Sequence, residues 1–401
     1  MQIADVETFV VGNPPPHFGG AYFVFVKLTT DDGLVGYGEA YAGTTSPHVV
    51  ASVIEDMAAR HLVGESPFRV ERFWRRAYGQ GFTLRPDVTL QGAMSALEIA
   101  CWDLVGKALD QPVHNLMGGL LHERLRSYTY LYPEPGDGVD VYGDPELAAE
   151  RAAEYVEMGF TAVKFDPAGP YTVMGGHQPS LHRLELSVQF VRRIRDAVGT
   201  RADLLFGTHG QFTSSGAVRL ARRLEPFDPL WFEEPTPPDD MAGMARVAAR
   251  TSIPIATGER LTTKVEFARY LEAGAATILQ PNLGRAGGIL EGKKIAALAE
   301  AHNAQIAPHL YCGPIVGAAN IQLACSIPNF LVLEGIKDWG GFHAELLISP
   351  IVWEDGYVVP PTAPGIGVEL DEDVARANPY EGEGLHLEMA TESIDLSEPG
   401  G

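Results

Sequence analysis

Lys164 lies in AVKF, Glu233 in WFEEP, Glu259 in TGERL, Asn282 in ILQPN, His309 in IAPH and Glu334 in FLVLE. Each is a polar residue at the end of a short apolar run. Two carboxylates on neighbouring elements, Glu233 and Glu259, offer hard oxygen ligands of the kind Mg²⁺ takes. A lysine beside them can hold a substrate carboxylate or polarise an enolate, and a histidine such as His309 is a candidate general base. Taken singly, each motif also fits an ordinary loop charge or a structural polar group. Their joint spacing is what suggests a site.

Successive strand-end residues, with Gly207 included, are separated by 43, 26, 26, 23, 27 and 25 positions. Five of these six intervals match one strand-plus-helix unit. The candidate strands are SYTYLY, AVKF, LLFG, LWFE, IPIATGE, ATILQP, QIAPH and FLVLE, with amphipathic stretches such as EGKKIAALAEAH between them. The pattern predicts an α/β fold, a (β/α)8 barrel over residues 126–340, whose C-terminal strand ends would gather these residues into one ring. The long interval holds DPAGPYTVMGGHQPSLHR, expected as an insertion over the barrel mouth. YFVFVKLTTDDGLVGYGEA reads as two strands around a DDG turn, followed by a helical PHVVASVIEDMAARHLV, so residues 1–125 are expected to form an α+β cap. Residues 341–401 are expected to return to that cap, ending in a frayed TESIDLSEPGG tail.

The chain has 401 residues, 45% of them hydrophobic, enough for a barrel with additions. Its formal net charge of -22 disfavours nucleic acid and anionic membrane as partners. An anionic substrate would need a local cation to reverse that field. No apolar run approaches the ~20 residues that span a bilayer, and the N-terminal stretch lacks signal-peptide order, so a cytoplasmic location is expected. Cys101, Cys312 and Cys325 lack metal-type spacing and read as core filling.

AMSALEIACWDLVGKALDQPVHNLMGG at 93–119, then WFEEP, TGERL, ILQPNLGRAGGI and IAPHLYCGP in that order, resemble the mandelate racemase/muconate lactonizing branch of the enolase superfamily. The nearest likeness is to galactonate-type sugar-acid dehydratases. The resemblance implies a capped barrel and, as a family trait, a homo-oligomer. It also implies Mg²⁺-assisted removal of the proton α to a carboxylate of a small acid sugar, then loss of the β-hydroxyl as water. Carried over by position, His309 would be the base, His209 the acid that assists hydroxyl departure, and Glu334 a partner of the intermediate. Glu233 and Glu259 would hold the metal.

Two positions depart from the pattern. Gly207 stands where the resemblance expects a metal-binding aspartate, and Asn282 where it expects an aspartate supporting the histidine base. An asparagine orients an imidazole without stabilising its charge. Asp166 stands where many relatives carry a second lysine, which favours one-sided chemistry such as dehydration over racemisation. Cycloisomerisation or epimerisation through the same enolate, and a metal-poor paralogue that binds an acid sugar without turnover, remain alternatives. Asp166, with His17, Tyr41 and Arg85 from the cap loops, are the candidate substrate contacts.

Overall fold

The computed structural model describes residues 1–393 apart from 83, 86, 135 and 170. Most of the expected frayed tail therefore lies outside the described residues. Strands β1 (Ile3–Gly12), β2 (Tyr22–Thr30) and β3 (Val35–Ala40) form an antiparallel sheet in that order. Helix Val88–Ala108 lies across β3 and is buried on nearly every side, because it is sandwiched between this sheet and the rest of the chain. Gly38 permits the close approach: a Cβ there would sit 1.8 Å from the Ala96 carbonyl oxygen.

The barrel is built from β4 (Leu125–Tyr130), β5 (Ala162–Phe165), β6 (Asp203–Gly207), β7 (Trp231–Glu233), β8 (Ile255–Thr257), β9 (Ile278–Leu279), β10 (Gln305–Ile306) and β11 (Leu333–Glu334). Each strand from β4 to β10 pairs in parallel with the next. Closure comes from β11 pairing with β4 and from a bridge between Ile306 and Phe330. Each strand, or the residue next to it, sends a side chain inward to a buried plug that includes Tyr128, Leu205, Trp231, Ile278 and Val332. That plug fills the barrel, so a ligand is confined to the mouth above it.

The cap docks on the barrel through two buried glutamates. Glu39 accepts from the backbone of Gly313 and Val316 at the start of helix Pro314–Ala324. Glu98 does the same for Ile289 and Leu290 at the start of helix Ile289–Ala301. Both satisfy N–H groups that a helix leaves unpaired at its beginning, and both meet the positive end of its dipole.

The C-terminal segment returns to the cap only in part, which corrects the sequence expectation. Hairpin β12 (Val352–Glu354) and β13 (Tyr357–Val359) pairs antiparallel with β4 of the barrel. Helix Glu372–Ala377 does reach the cap, with Glu372 bonded to Lys27 and to the Tyr37 hydroxyl. Beyond it the chain forms a strap over the barrel mouth. Pro379 bridges Val11 and the His386 ring lies between the carbonyl oxygens of Tyr22 and Tyr311, at 3.0 and 2.8 Å. Ala390 then pairs with Tyr171 and Val173. Gly20, at φ +107°, is required for this, since a Cβ there would fall 2.0 Å from the His386 ring. Among the described residues no helix is long and apolar enough to cross a membrane.

Candidate active site

A cavity of about 310 Å³ opens at the C-terminal ends of the barrel strands. Asp166, His209, Glu259 and His309 line it together with Tyr41 and Tyr130. Further tyrosines, Tyr132, Tyr142, Tyr171 and Tyr311, complete most of the wall, and Leu387 and Met389 of the strap form its roof. The chemistry-bearing residues thus fall into two layers, one facing the cavity and one beneath it.

His209 follows β6 in a left-handed backbone conformation, φ +43°, uncommon for residues other than glycine. Its carbonyl oxygen accepts from Arg260, 2.8 Å away, and Arg260 is itself paired with buried Glu234 at 2.6 Å. These contacts hold the strained turn in place. The ring's Nδ1 lies 2.7 Å from Asp166 Oδ2 and 2.7 Å from the Tyr171 hydroxyl, while Nε2 is 3.4 Å from the Tyr130 hydroxyl. Burial alone would lower the pKa of this imidazole. The Asp166 hydrogen bond and the fields of Glu259 and Asp166 outweigh it and raise the value to about 9.

His309 stands after β10, with its ring stacked near Tyr41 at 5.8 Å between centroids. Its Nε2 is 3.1 Å from Glu259 Oε2, and its Nδ1 is 3.0 Å from the side-chain nitrogen of Asn282. Asn282 Oδ1 accepts from the backbone of Gly284 at 2.8 Å.

Lys164, Glu233, Glu334 and Asn282 form the layer beneath, out of the cavity wall. The Lys164 ammonium lies 2.6 Å from Glu233 Oε1 and 3.3 Å from Glu334 Oε1, fully buried, with the Tyr130 ring 4.7 Å away. Burial disfavours its charge, but the two carboxylates hold its pKa well above the ordinary lysine value. Gln280 donates to the second oxygen of Glu233 at 2.8 Å.

These residues do not fit a resident Mg²⁺. Glu233 has both oxygens engaged, one by an ammonium and one by an amide, and Glu259 faces His309. Gly207 supplies no third carboxylate, and Asp166 is committed to His209. Among the described residues no group of three or more His, Cys, Asp or Glu side chains is arranged to hold a metal ion. Asp203 is also out of reach, bonded to Arg126 at the start of β6.

Two expected substrate contacts lie elsewhere. His17 is exposed, with its ring on the Asn13 carbonyl oxygen at 2.6 Å, and Arg85 is exposed outside the cavity wall. Phe18, next to His17, instead packs against Tyr132 at 4.2 Å. The site also contains residues that sequence reasoning did not select. Glu234 and Arg260 sat inside the quoted motifs beside the chosen glutamates. The strap gave no sequence signal, because its role arises from where it docks.

The capped, closed barrel with a polar ring at its strand ends defines an enolase-type protein. The family models confirm the class: residues 16–118 match the mandelate racemase/muconate lactonizing enzyme N-terminal domain and residues 147–374 the enolase C-terminal domain-like family. The chain belongs to the mandelate racemase/muconate lactonizing enzyme branch of the enolase superfamily. It is similar to a D-galactonate dehydratase from Ralstonia nicotianae, 36% identical over 381 residues and covering 93% of each chain. It also resembles a D-xylonate dehydratase from Haloferax volcanii, 34% identical over 96% of this chain and 90% of that one. Among solved structures, a mandelate racemase/muconate lactonizing enzyme-like protein from Roseovarius sp. TM1035 superposes with a TM-score of 0.97 at 56% identity, covering 99% of this chain and all of that one. Members of this superfamily are typically metal-dependent.

Proposed function

We propose that this protein is a hydro-lyase that removes water from an acid sugar, giving a 2-keto-3-deoxy acid. The observation that carries this reading is the placement of His209 and His309, from different strands, on one enclosed cavity with the carboxylates of Asp166 and Glu259. Imidazoles and carboxylates about one cavity supply the proton acceptor and donor that the reaction needs, for removal of the α-proton and protonation of the departing β-hydroxyl. Tyrosine hydroxyls around the wall suit a polyhydroxylated chain, and aromatic faces suit its carbon skeleton. The dehydratase names of relatives at 34–36% identity support the same reaction class.

The residues that resemblance nominated for Mg²⁺ are already partnered, so no step is assigned to the ion. Gly207 also favours one second reading, a protein that binds an acid sugar without turning it over. A panel of aldonates incubated with the protein, with Mg²⁺ and with chelator, separates the two by 2-keto acid formation. Turnover of one acid sugar supports the hydro-lyase. Tight binding without product under both conditions supports the binder.

A further inference from the structure

We propose that His209, positioned by Asp166, is the acid–base catalyst of this site, and that His309, held by Asn282, acts as a hydrogen-bond donor and not as the base. The chemistry rests on the hydro-lyase reading; the assignment of protons on the two rings does not.

The starting point is the backbone N–H of Gly284, which can only donate. The Asn282 atom 2.8 Å from it is therefore the carbonyl oxygen, and the amide end of that side chain faces His309. An amide N–H pointed at Nδ1 from 3.0 Å requires Nδ1 to accept, so Nδ1 carries no proton. A neutral His309 then has its proton on Nε2, where Glu259 waits as acceptor at 3.1 Å. An amide behind the ring and a carboxylate in front give the same answer. The lone pair that a base needs points away from the cavity. An aspartate at position 282 would accept from Nδ1 and reverse the arrangement.

His209 has the opposite polarity. A carboxylate, Asp166, faces its Nδ1, so the proton there is held from behind and Nε2 is presented on the cavity side. Asp166 is itself buried and anchored by the Ala168 backbone N–H at 3.2 Å. It stabilises the imidazolium that forms when Nε2 takes a proton, and the raised pKa of His209 agrees with this. The carboxylate–histidine pair that resemblance places between β9 and β10 is here formed between β5 and β6.

One histidine can carry the whole elimination. The α C–H bond breaks and its proton moves to His209 Nε2, while the electron pair passes into the substrate carboxylate as an enediolate. His309 donates its Nε2–H to an enediolate oxygen. The pair then returns to form a Cα–Cβ double bond as the Cβ–O bond breaks, and His209 gives its proton to the leaving hydroxyl, which departs as water. The enol takes up a proton from solvent at Cβ and loses its hydroxyl proton to solvent, leaving the 2-keto acid.

The proton positions are read by nitrogen NMR of protein selectively labelled with ¹⁵N-histidine, in Mg²⁺-free buffer. The signals are assigned by their loss in His209→Asn and His309→Asn. Protonated Nε2 with bare Nδ1 on His309, switching to protonated Nδ1 in Asn282→Asp, is the expected result. Protonated Nδ1 on His309 in the wild type overturns the proposal. With an acid sugar that the wild type dehydrates, His209→Asn should lose both solvent exchange of the α-proton and water loss, each by roughly 10²–10⁴-fold. Asp166→Asn should move the midpoint of the exchange pH profile down from near 9 toward the ordinary histidine value. Exchange that survives in His209→Asn and vanishes in His309→Asn places the base on His309 and overturns the proposal. Absence of turnover with every acid sugar counts against the hydro-lyase reading alone, while the NMR result still decides the proton assignment.

Discussion

The Lys164 ammonium and the Glu233 carboxylate meet at 2.6 Å beneath the floor of the cavity, both withdrawn from solvent. The ammonium occupies one oxygen of Glu233 and the Gln280 amide the other, so that carboxylate has no free oxygen to offer a metal ion.

Free Mg²⁺ should therefore bind the wild-type protein weakly, and Gly207→Asp should strengthen that binding by about tenfold or more. The space exists: a Cβ at position 207 would meet the Tyr130 hydroxyl at 3.5 Å and Asp166 Cβ at 3.7 Å, ordinary contacts. Calorimetric titration of both proteins is the measurement. Tight wild-type binding that the substitution leaves unchanged would show that other groups complete a metal shell.

Replacing the lysine should expose how much the two carboxylates depend on it. Lys164→Met leaves Glu233 and Glu334 in a buried site without their cation, at a cost of about 3–5 kcal/mol at neutral pH. Part of that loss should return at pH 5, where the unpaired carboxylates take up protons. Urea unfolding at the two pH values tests it, and an equal loss at both would mean that packing, not charge, dominates.

A second pH effect follows from the glutamates that dock the cap. Burial pushes the carboxyls of Glu39 and Glu98 up from 4.5 to about 8, with their backbone N–H donors offsetting part of the shift. A carboxyl whose pKa is raised by folding stabilises the fold fully below the unfolded value and loses that contribution as pH rises through the folded one. Stability should thus decline between about pH 4.5 and 8 from this source, and the Glu39→Gln/Glu98→Gln pair should flatten the decline. An unaltered slope in the double variant, measured by denaturant melts across that window, would assign the decline to other groups.

The strap should govern affinity more than chemistry. Leu387→Ser and Met389→Ser alter the roof without touching either histidine, so each should raise KM several-fold while kcat changes little. Steady-state kinetics on the acid sugar identified by the panel gives both constants. A fall in kcat with unchanged KM would place the strap in the reaction itself.

Much of the barrel was legible in the sequence because most strands carry a polar residue at or just beyond their end and the repeat unit has a nearly fixed length. The same periodicity brought Asp166, His209, Glu259 and His309 to one mouth. It could not separate the layer that faces the cavity from the one beneath, since Lys164 and Glu233 occupy strand ends just as Glu259 does. That distinction is set by packing against the inner plug. His17 and Arg85 were nominated from loops near the mouth, but both are exposed outside the cavity wall, where Tyr132, packed on Phe18, and the strap stand instead. Residues 379–390 were expected only as part of a segment returning to the cap, with nothing to mark them as a roof over the mouth. Their order comes from His386, one ring seated between two carbonyl oxygens contributed by distant parts of the chain.

The position of that strap gives the site a birth order. The cap is synthesised first and the barrel after it, each able to begin packing as it leaves the ribosome. The roof follows both, and the backbone that ties it down, from His386 to Glu392, is translated near the end of the described chain. A nascent chain whose strap is still unmade thus presents an open, tyrosine-lined mouth, which the passage of residues 386–392 across Tyr171 shuts.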